Sequence, residues 1–328
     1  MFVFWLWACT GAPPTDTDPP TVPDDTAVVH TGDTGPVQGT ADTADPLVQL
    51  CATPQPIPVP YQVFQGWGSA EDFDIDFQGR HVSVSGSGNL VARDPAGGQT
   101  LIAPNVAEEA ACTRMLPSGD FVVCNVGENS LVKVDISTGA KTTLVTGMSY
   151  PNGGEVDPDG FIYVAEQNAG RIRRIDSNTG DFTVIANNLN NPNGVIFSPD
   201  WQTLYVGSFG GGTVYAIDRI GPGNWQTRVF VQDPGQNGGF DGINVDECGN
   251  VYVTEFVAGI VWRISPDGNT VQQAVNLPSS WIPNLRWGNG VNGWDERTLY
   301  VSDRGQGRLF ALDMGLRGKP AFQPPPTP

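Results

Sequence analysis

Four side chains with ligating oxygens recur at one position of a repeated sequence pattern, each leading into a short apolar stretch that is typical of a β-strand. They are Glu71, Asn152, Asn193 and Asp241. Carboxylate and amide oxygens are the ligands that Ca²⁺ prefers in proteins. The imidazole and thiolate ligands that zinc and copper prefer are missing from this set. The residue types therefore favour one calcium ion, provided that the fold brings the four positions together.

A calcium ion at such a site would support the hydrolysis of an activated ester. A bound cation polarises a carbonyl or phosphoryl oxygen and stabilises the oxyanion that forms during hydrolysis. The simpler alternative is that the Asn-Gly and Asp-Gly pairs only form turns, where these pairs are common. That alternative explains Asn193 or Asp241 singly, but it explains less well why Glu71 occupies the same register.

These residues belong to six repeats of about forty residues that run from Glu71 to near Met314. Each repeat contains an alternating strand, a turn that is often Pro-Asp-Gly or Pro-Ser-Gly, and further short apolar stretches. The pattern predicts an all-β fold, a six-bladed β-propeller with four-stranded antiparallel blades. The last repeat lacks an obvious fourth strand, and the stretch 57–68 could supply it and close the ring.

In a propeller the innermost strand of every blade begins at the same end of the central channel, so the heads of these strands converge. The second blade presents Ala111 there, without an oxygen, and the sixth presents Pro283 with Asn284 beside it. We expect the pocket walls to come from the ends of the second strands and the loops that follow. Arg304 is the strongest candidate for contact with an anion. The wall candidates are Asn125, Glu128, Glu166, Gln167, Phe209, Glu255, Phe256, Asp303 and Arg304, with Asp72 and Asn284 next to the strand heads.

The blade sequences resemble the regucalcin/gluconolactonase family over about residues 57–315. The stretches NGVIFSPDWQTLYV, FDGINVDECGNVYVTE and TLYVSDRGQGRLFALD look like its blade motifs, and GSAEDFDIDFQG is more similar to the first blade of the paraoxonases. In this family and in diisopropyl fluorophosphatase, one Glu, two Asn and one Asp bind a catalytic calcium ion. The resemblance implies the same role for Glu71, Asn152, Asn193 and Asp241. Resemblance to the fluorophosphatase also implies that Asp241 could act as nucleophile or general base. The equal alternative is that Asp241 only binds the metal and has no catalytic role.

Two departures from the family weaken the enzyme hypothesis. Many relatives carry Asp where this chain has Gly153, which puts sugar-lactone hydrolysis in doubt, and Ala111 supplies no ligand. His81 is the one histidine outside the N-terminal segment, and it is predicted at the end of the propeller opposite the metal. A serine-type triad is therefore excluded, and the pocket histidines of the paraoxonases have no counterpart.

The leading hypothesis is a calcium-dependent hydrolase of a lactone or similar small-molecule ester. The alternative is a non-catalytic propeller, similar to the NHL repeats, in which calcium is structural and the loops bind a partner. A lyase resembling streptogramin lyase, or a condensing enzyme resembling strictosidine synthase, is less favoured because no His is expected near the channel.

The N-terminal region predicts export and anchoring. Residues 1–9 resemble a lipoprotein-type signal segment that ends at Cys9, the predicted lipidation site. The alternative is an apolar N-terminus that has no targeting function. Residues 10–56 predict a disordered acidic tether, 57–315 the propeller and 316–328 a Pro-rich tail. We expect a bacterial cell-envelope protein, lipid-anchored on the periplasmic face or the cell surface, and a monomer.

Charge and cysteine content limit the partners further. The net charge of −18 argues against nucleic acid and against anionic membrane surfaces, so contact with a membrane is expected only through the lipid anchor. Disulfides are allowed in an exported protein, and Cys112 and Cys124 could face each other on neighbouring strands. The pairing among these two, Cys51 and Cys248 is left open. No Cys-x-x-Cys pattern is present, so a zinc site is not expected.

Overall fold

The computed structural model describes residues 45–53, 55–232 and 239–320, in which six four-stranded antiparallel sheets form the blades of a propeller. The first blade contains β2 Phe73–Ile75, β3 His81–Val84, β4 Leu90–Arg93 and β5 Gln99–Ala103. The second contains β6 Ala110–Met115, β7 Phe121–Asn125, β8 Ser130–Val134 and β9 Lys141–Val145. The third contains β10 Pro151–Val156, β11 Phe161–Glu166, β12 Arg171–Asp176 and β13 Phe182–Ala186.

The remaining blades repeat this order. The fourth contains β14 Pro192–Phe197, β15 Thr203–Ser208, β16 Thr213–Gly221 and β17 Asn224–Gln232. The fifth contains β18 Phe240–Val245, β19 Val251–Glu255, β20 Ile260–Ile264 and β21 Val271–Asn276. The sixth contains β22 Leu285–Trp287, β23 Thr298–Asp303, β24 Arg308–Asp313 and β1 Tyr61–Gln65. The predicted fold class is confirmed.

The N-terminal strand closes the ring, as the missing fourth strand of the last repeat predicted. β1 pairs antiparallel with β24, from Tyr61 opposite Leu312 to Gln65 opposite Arg308. The strand that precedes the first blade thereby completes the sixth, so neither terminal blade has to stand as an open edge.

The core lies between neighbouring blades, because each face of a blade is covered by the blade next to it on that side. One cluster joins Val122 and Cys124 of the second blade to Ile162 and Val164 of the third, and all four are fully buried. Strands that are buried on both faces carry nearly continuous apolar sequence, which explains the apolar second strands of the repeats.

The described part of the stretch predicted as a tether contains a short helix. Helix α1, Pro46–Ala52, begins with Asp45 as its N-cap and carries Cys51. Cys51 forms a disulfide with Cys248, in the turn after β18. A second disulfide joins Cys112 and Cys124 on paired strands of the second blade, as their positions suggested. In the described ranges no helix has the length and apolar character needed to cross a membrane.

The segment after β24 is also partly ordered, although it lies in the predicted tail. Gly318 forms an isolated bridge with Asp246, and the Lys319 N–H donates to the carbonyl oxygen of Val245 at 3.0 Å. The Lys319 side chain forms an ion pair with Glu155. These contacts attach the chain to the channel end at which β18 finishes.

His81 belongs to an aromatic cluster where the first and sixth blades meet. It pairs with Ile75, at the end of β2 away from Glu71, and only 2% of it is exposed. Its ring stacks on Phe73 at 4.6 Å between centroids. Burial, with a smaller effect of the Arg93 charge, lowers the pKa of His81 to about 3. His81 is therefore a neutral core residue, as its predicted position at the far end of the propeller suggested.

This depressed pKa predicts an acid-dependent loss of stability. The unfolded chain takes up a proton on His81 below pH 6.5 and the folded protein does not until about pH 3, so stability falls as the pH falls through this range. We expect His81→Phe to remove about 3 kcal/mol of this loss between pH 6.5 and pH 4. Urea unfolding of both proteins across this range measures it. Parallel stability–pH curves would contradict the assignment.

Candidate active site

The heads of the inner strands carry a β-bulge in four successive blades. In each, two residues of the inner strand lie opposite one residue of the second strand, so the pairing register shifts. A bulge removes residues from regular pairing and redirects their side chains, and such bulges are common beside active sites. The shifts fall within Ala110–Thr113, Pro151–Gly154, Pro192–Val195 and Phe240–Ile243. Three of the predicted ligands, Asn152, Asn193 and Asp241, are therefore presented by the same backbone irregularity.

The glycine after each of these residues allows neighbouring heads to touch. A Cβ added to Gly153 would lie 2.0 Å from the backbone oxygen of Asn193, and one added to Gly194 would lie 2.2 Å from that of Asp241. Neither glycine has a left-handed φ. The Asn-Gly and Asp-Gly pairs are thus sites of close approach between strands, and the interpretation as simple turns was wrong. An Asp at position 153 would collide with the next blade.

The carboxylates at this end of the channel are buried close to one another. Burial raises the pKa of Asp241 well above its usual range, and the negative charges of Glu71 and Asp72 raise it further. Asn193 donates a side-chain hydrogen bond to Asp241, which opposes this rise. Burial is also the main cause that raises the pKa of Glu71 to about 7, against the opposing charge of Arg304. The site therefore concentrates negative charge that a cation would neutralise.

The donor set fits a calcium ion. Glu71 and Asp241 supply carboxylates, while Asn152 donates its amide N–H to the side-chain oxygen of Gln167 at 2.7 Å. Donation by each Asn amide N–H leaves the amide carbonyl oxygen as the ligand atom. Residues 45–53, 55–232 and 239–320 contain no group of three or more His, Cys, Asp or Glu side chains suited to a metal ion. The site therefore depends on the two Asn carbonyls, which are good ligands for Ca²⁺ and poor ones for Zn²⁺.

Arg304 lies at the site, but its role differs from the expected one. Its guanidinium forms an ion pair with Glu71, and 40% of the Arg304 side chain is exposed. Arg304 therefore neutralises a predicted metal ligand, so in this state its guanidinium is already paired with a carboxylate of the protein. A cation bound to Glu71 would compete with this pair and make the guanidinium available at the mouth of the channel.

Asp72 is buried in the channel below the heads and does not line a pocket wall. It forms an ion pair with Arg114, and it accepts hydrogen bonds from the N–H groups of Thr113 at 2.9 Å and Phe73 at 2.8 Å. Asn284 lies beside the heads as expected, where its side-chain oxygen accepts from the N–H of Leu285 at 2.9 Å.

The residues at the ends of the second strands are structural in three blades. Glu166 forms ion pairs with Arg171 and Arg173 and is fully buried. Glu255, also fully buried, accepts from the indole N–H of Trp262 at 2.9 Å. Asp303 forms an ion pair with Arg308 at 2.6 Å. The partners of all three side chains lie on the third strand of the same blade, so the side chains are held within their own blades. The prediction that Glu166 and Glu255 line the pocket was therefore wrong.

The other wall candidates divide between two places. Asn125 and Glu128 line a separate cavity of about 450 Å³ between the first two blades. Phe209 and Phe256 lie at the head end, where their rings are 6.0 Å apart and where Trp281 stacks on Phe256. The sequence reasoning missed Trp281, although it is two residues from Pro283, the predicted head of the sixth blade.

One further residue near the site, Tyr150, was missed. The charges of Glu109, Glu71, Arg304 and Asp241 all act on Tyr150, whose pKa is raised chiefly by burial. Tyr150 directly precedes the Pro-Asn-Gly head of β10, and its left-handed φ of 57° leads into the bulge. Its position one residue before the repeated motif is the signal that could have identified it.

Comparison with known proteins identifies the family of this chain. Residues 87–305 match the family model described as SMP-30/Gluconolactonase/LRE-like region. The chain belongs to this family. The resemblance to the regucalcin/gluconolactonase family is thereby confirmed.

Individual relatives support the same grouping. A 6-deoxy-6-sulfogluconolactonase of Pseudomonas putida is 28% identical over 235 residues, which cover 68% of this chain and 78% of that protein. A gluconolactonase structure from Xanthomonas campestris has a TM-score of 0.64 at 19% identity, covering 79% of this chain and 90% of the other. A calcium-binding regucalcin structure from Agrobacterium tumefaciens has a TM-score of 0.61 at 20% identity, covering 80% and 93%. At these identities the two structures establish the shared fold.

The contact at Gly194 predicts a specific sensitivity to a single methyl group. Gly194→Ala would place Cβ against the backbone of Asp241, so we expect a loss of roughly 1–3 kcal/mol in the free energy of unfolding. Gly86→Ala is the matched control, since open space surrounds Gly86 and its φ is not left-handed. Urea unfolding of both variants measures the difference. Equal stability would show that the heads are not packed as described.

Proposed function

We propose that the protein is a calcium-dependent lactonase that converts a lactone to the corresponding hydroxy acid. The observation that carries this proposal is the convergence of Glu71, Asn152, Asn193 and Asp241 at one end of the channel. Membership of a gluconolactonase-like family supports lactone hydrolysis as the reaction. The Pseudomonas relative named as a sulfogluconolactonase and the calcium-binding regucalcin neighbour are consistent with the reaction and with the ion.

The residues would divide the work between binding and proton transfer. Calcium, when bound, supplies polarisation of the lactone carbonyl oxygen. Asp241, which is buried and accepts a hydrogen bond from Asn193, would accept a proton from the attacking water. The water oxygen would bond to the carbonyl carbon as its proton moves to Asp241, the ring C–O bond would break, and the departing alkoxide would take that proton back from Asp241 to become the hydroxyl of the product. Asn152, fixed by Gln167, and Glu71 would hold the ion in place.

Calcium titration and turnover test this proposal directly. We expect the chelator-treated protein to bind one calcium ion by calorimetry, and Asp241→Asn to weaken that binding and to lose roughly 100-fold or more of kcat/KM on a lactone. Lactone turnover is followed by acid release at constant pH. Asp159→Asn, which changes an exposed carboxylate in a turn of the third blade, is the control and should leave both unchanged.

The outcomes separate the two hypotheses for this propeller. Calcium binding without turnover of any lactone would favour the non-catalytic, NHL-like alternative. No calcium binding by the folded wild-type protein would contradict both the metal site and the hydrolase.

We further propose that the protein is exported and lipid-anchored through Cys9, which lies outside the described residues. The two disulfides support an oxidising location. In a bacterial host grown with an alkyne-tagged fatty acid, the full chain should acquire the label and Cys9→Ser should not. Label that persists in Cys9→Ser would contradict acylation at this residue.

A further inference from the structure

Three aromatic side chains form a contiguous apolar surface at the head end of the channel. We call Phe209, Phe256 and Trp281 the aromatic strip. The rings of Phe209 and Phe256 are 6.0 Å apart, and Phe256 and Trp281 are stacked at 6.3 Å with 18° between their planes. Phe209 is 36% exposed and Trp281 is 50% exposed. The strip therefore crosses the fourth, fifth and sixth blades and presents ring surface to solvent.

The strip is attached to the backbone that carries the candidate active site. The backbone oxygen and ring of Phe209 pack against Gly239, two residues before Asp241, where an added Cβ would lie 2.4 Å from that oxygen. The carbonyl oxygen of Trp281 accepts the backbone N–H of Arg304 at 3.0 Å. The strip thus begins beside Asp241 and ends beside Arg304, so it forms one wall of the same mouth.

The strip differs from the other exposed apolar side chains of the described chain. Those on the blades, such as Phe64, Leu101, Phe182 and Val229, lie on outermost strands. Single exposed apolar residues are ordinary in soluble proteins and need no functional explanation. Three aromatic residues from three blades in mutual contact, next to buried carboxylates, form a larger patch of the kind found at ligand sites.

We propose that the aromatic strip binds an apolar alkyl or aryl substituent of the substrate, so that the substrate class is lactones bearing such a substituent. This inference rests on the proposed lactonase function. Burial of methylene groups on the rings is favourable, whereas the hydroxyl groups of a sugar lactone would lose water without gaining partners. Phe209 and Phe256 have no polar side-chain atoms, and Trp281 offers only its indole N–H.

The test uses the full-length protein with calcium and a series of γ-lactones that carry no side chain, a butyl chain or an octyl chain, with glucono-δ-lactone alongside. We expect kcat/KM to rise by up to about fourfold for each methylene that becomes fully buried. Trp281→Ala and Phe256→Ala should each flatten this dependence, so that kcat/KM falls far more for the octyl-substituted lactone than for the unsubstituted one. Phe64→Ala is the matched control, because Phe64 is 43% exposed on the outermost strand of the sixth blade.

A binding measurement distinguishes failure of this inference from failure of the lactonase proposal. Cyclopentanones with the same alkyl chains keep the ring and carbonyl but have no ester bond to hydrolyse. Their affinity, measured by calorimetry, should also rise with chain length, and Trp281→Ala should abolish the rise.

Each outcome decides the inference. Chain-dependent binding without turnover of the lactones would support the strip and overturn the lactonase. Turnover that is independent of chain length would overturn the strip as a substrate wall. A loss of glucono-δ-lactone turnover in Trp281→Ala would also overturn the strip as a wall for apolar substituents, because the rings would then bind a sugar.

Discussion

The close approach of neighbouring inner strands at one end of the channel is the constraint on which the site depends. Gly153 packs on the backbone of Asn193, and Gly194 packs on that of Asp241. A side chain at either glycine would separate the blades and the polar residues that precede the glycines. Closure of the ring by β1 maintains this contact, because a propeller that opened at one blade could relax the spacing of all the heads.

Charge is distributed unevenly along the channel. Below the heads, Asp72 is paired with Arg114, and Glu155 is paired with Lys319 from the segment after the last blade. Glu155 and Lys319 line a cavity of about 410 Å³ at the end of the channel away from the heads. At the head end, Arg304 forms an ion pair with Glu71, its charge also acts on Asp241, and its side chain is 40% exposed. The unbalanced negative charge is therefore concentrated where the strands converge, and there a cation would find its ligands.

At the same end of the blades, the polar residues of the second strands are structural, whereas those of the first strands form the candidate site. Residues at the ends of the second strands are acidic in several repeats, which made them attractive pocket candidates. In the structure Glu166 and Asp303 are neutralised by arginines of the adjoining third strand. The polar residues at the heads of the first strands lie in bulges and are directed by them towards a common centre.

The repeat in the sequence predicted the fold class, the number of blades, closure by the N-terminal strand and the residues at the strand heads. It could do so because strand alternation and turn residues are local, and because a repeat presents each position six times. The folded chain was needed to show that Glu166 and Glu255 are internal, that Arg304 pairs with Glu71, and that Trp281 joins Phe209 and Phe256. These facts depend on contacts between hairpins and between blades, which link residues far apart in the chain and leave no local pattern.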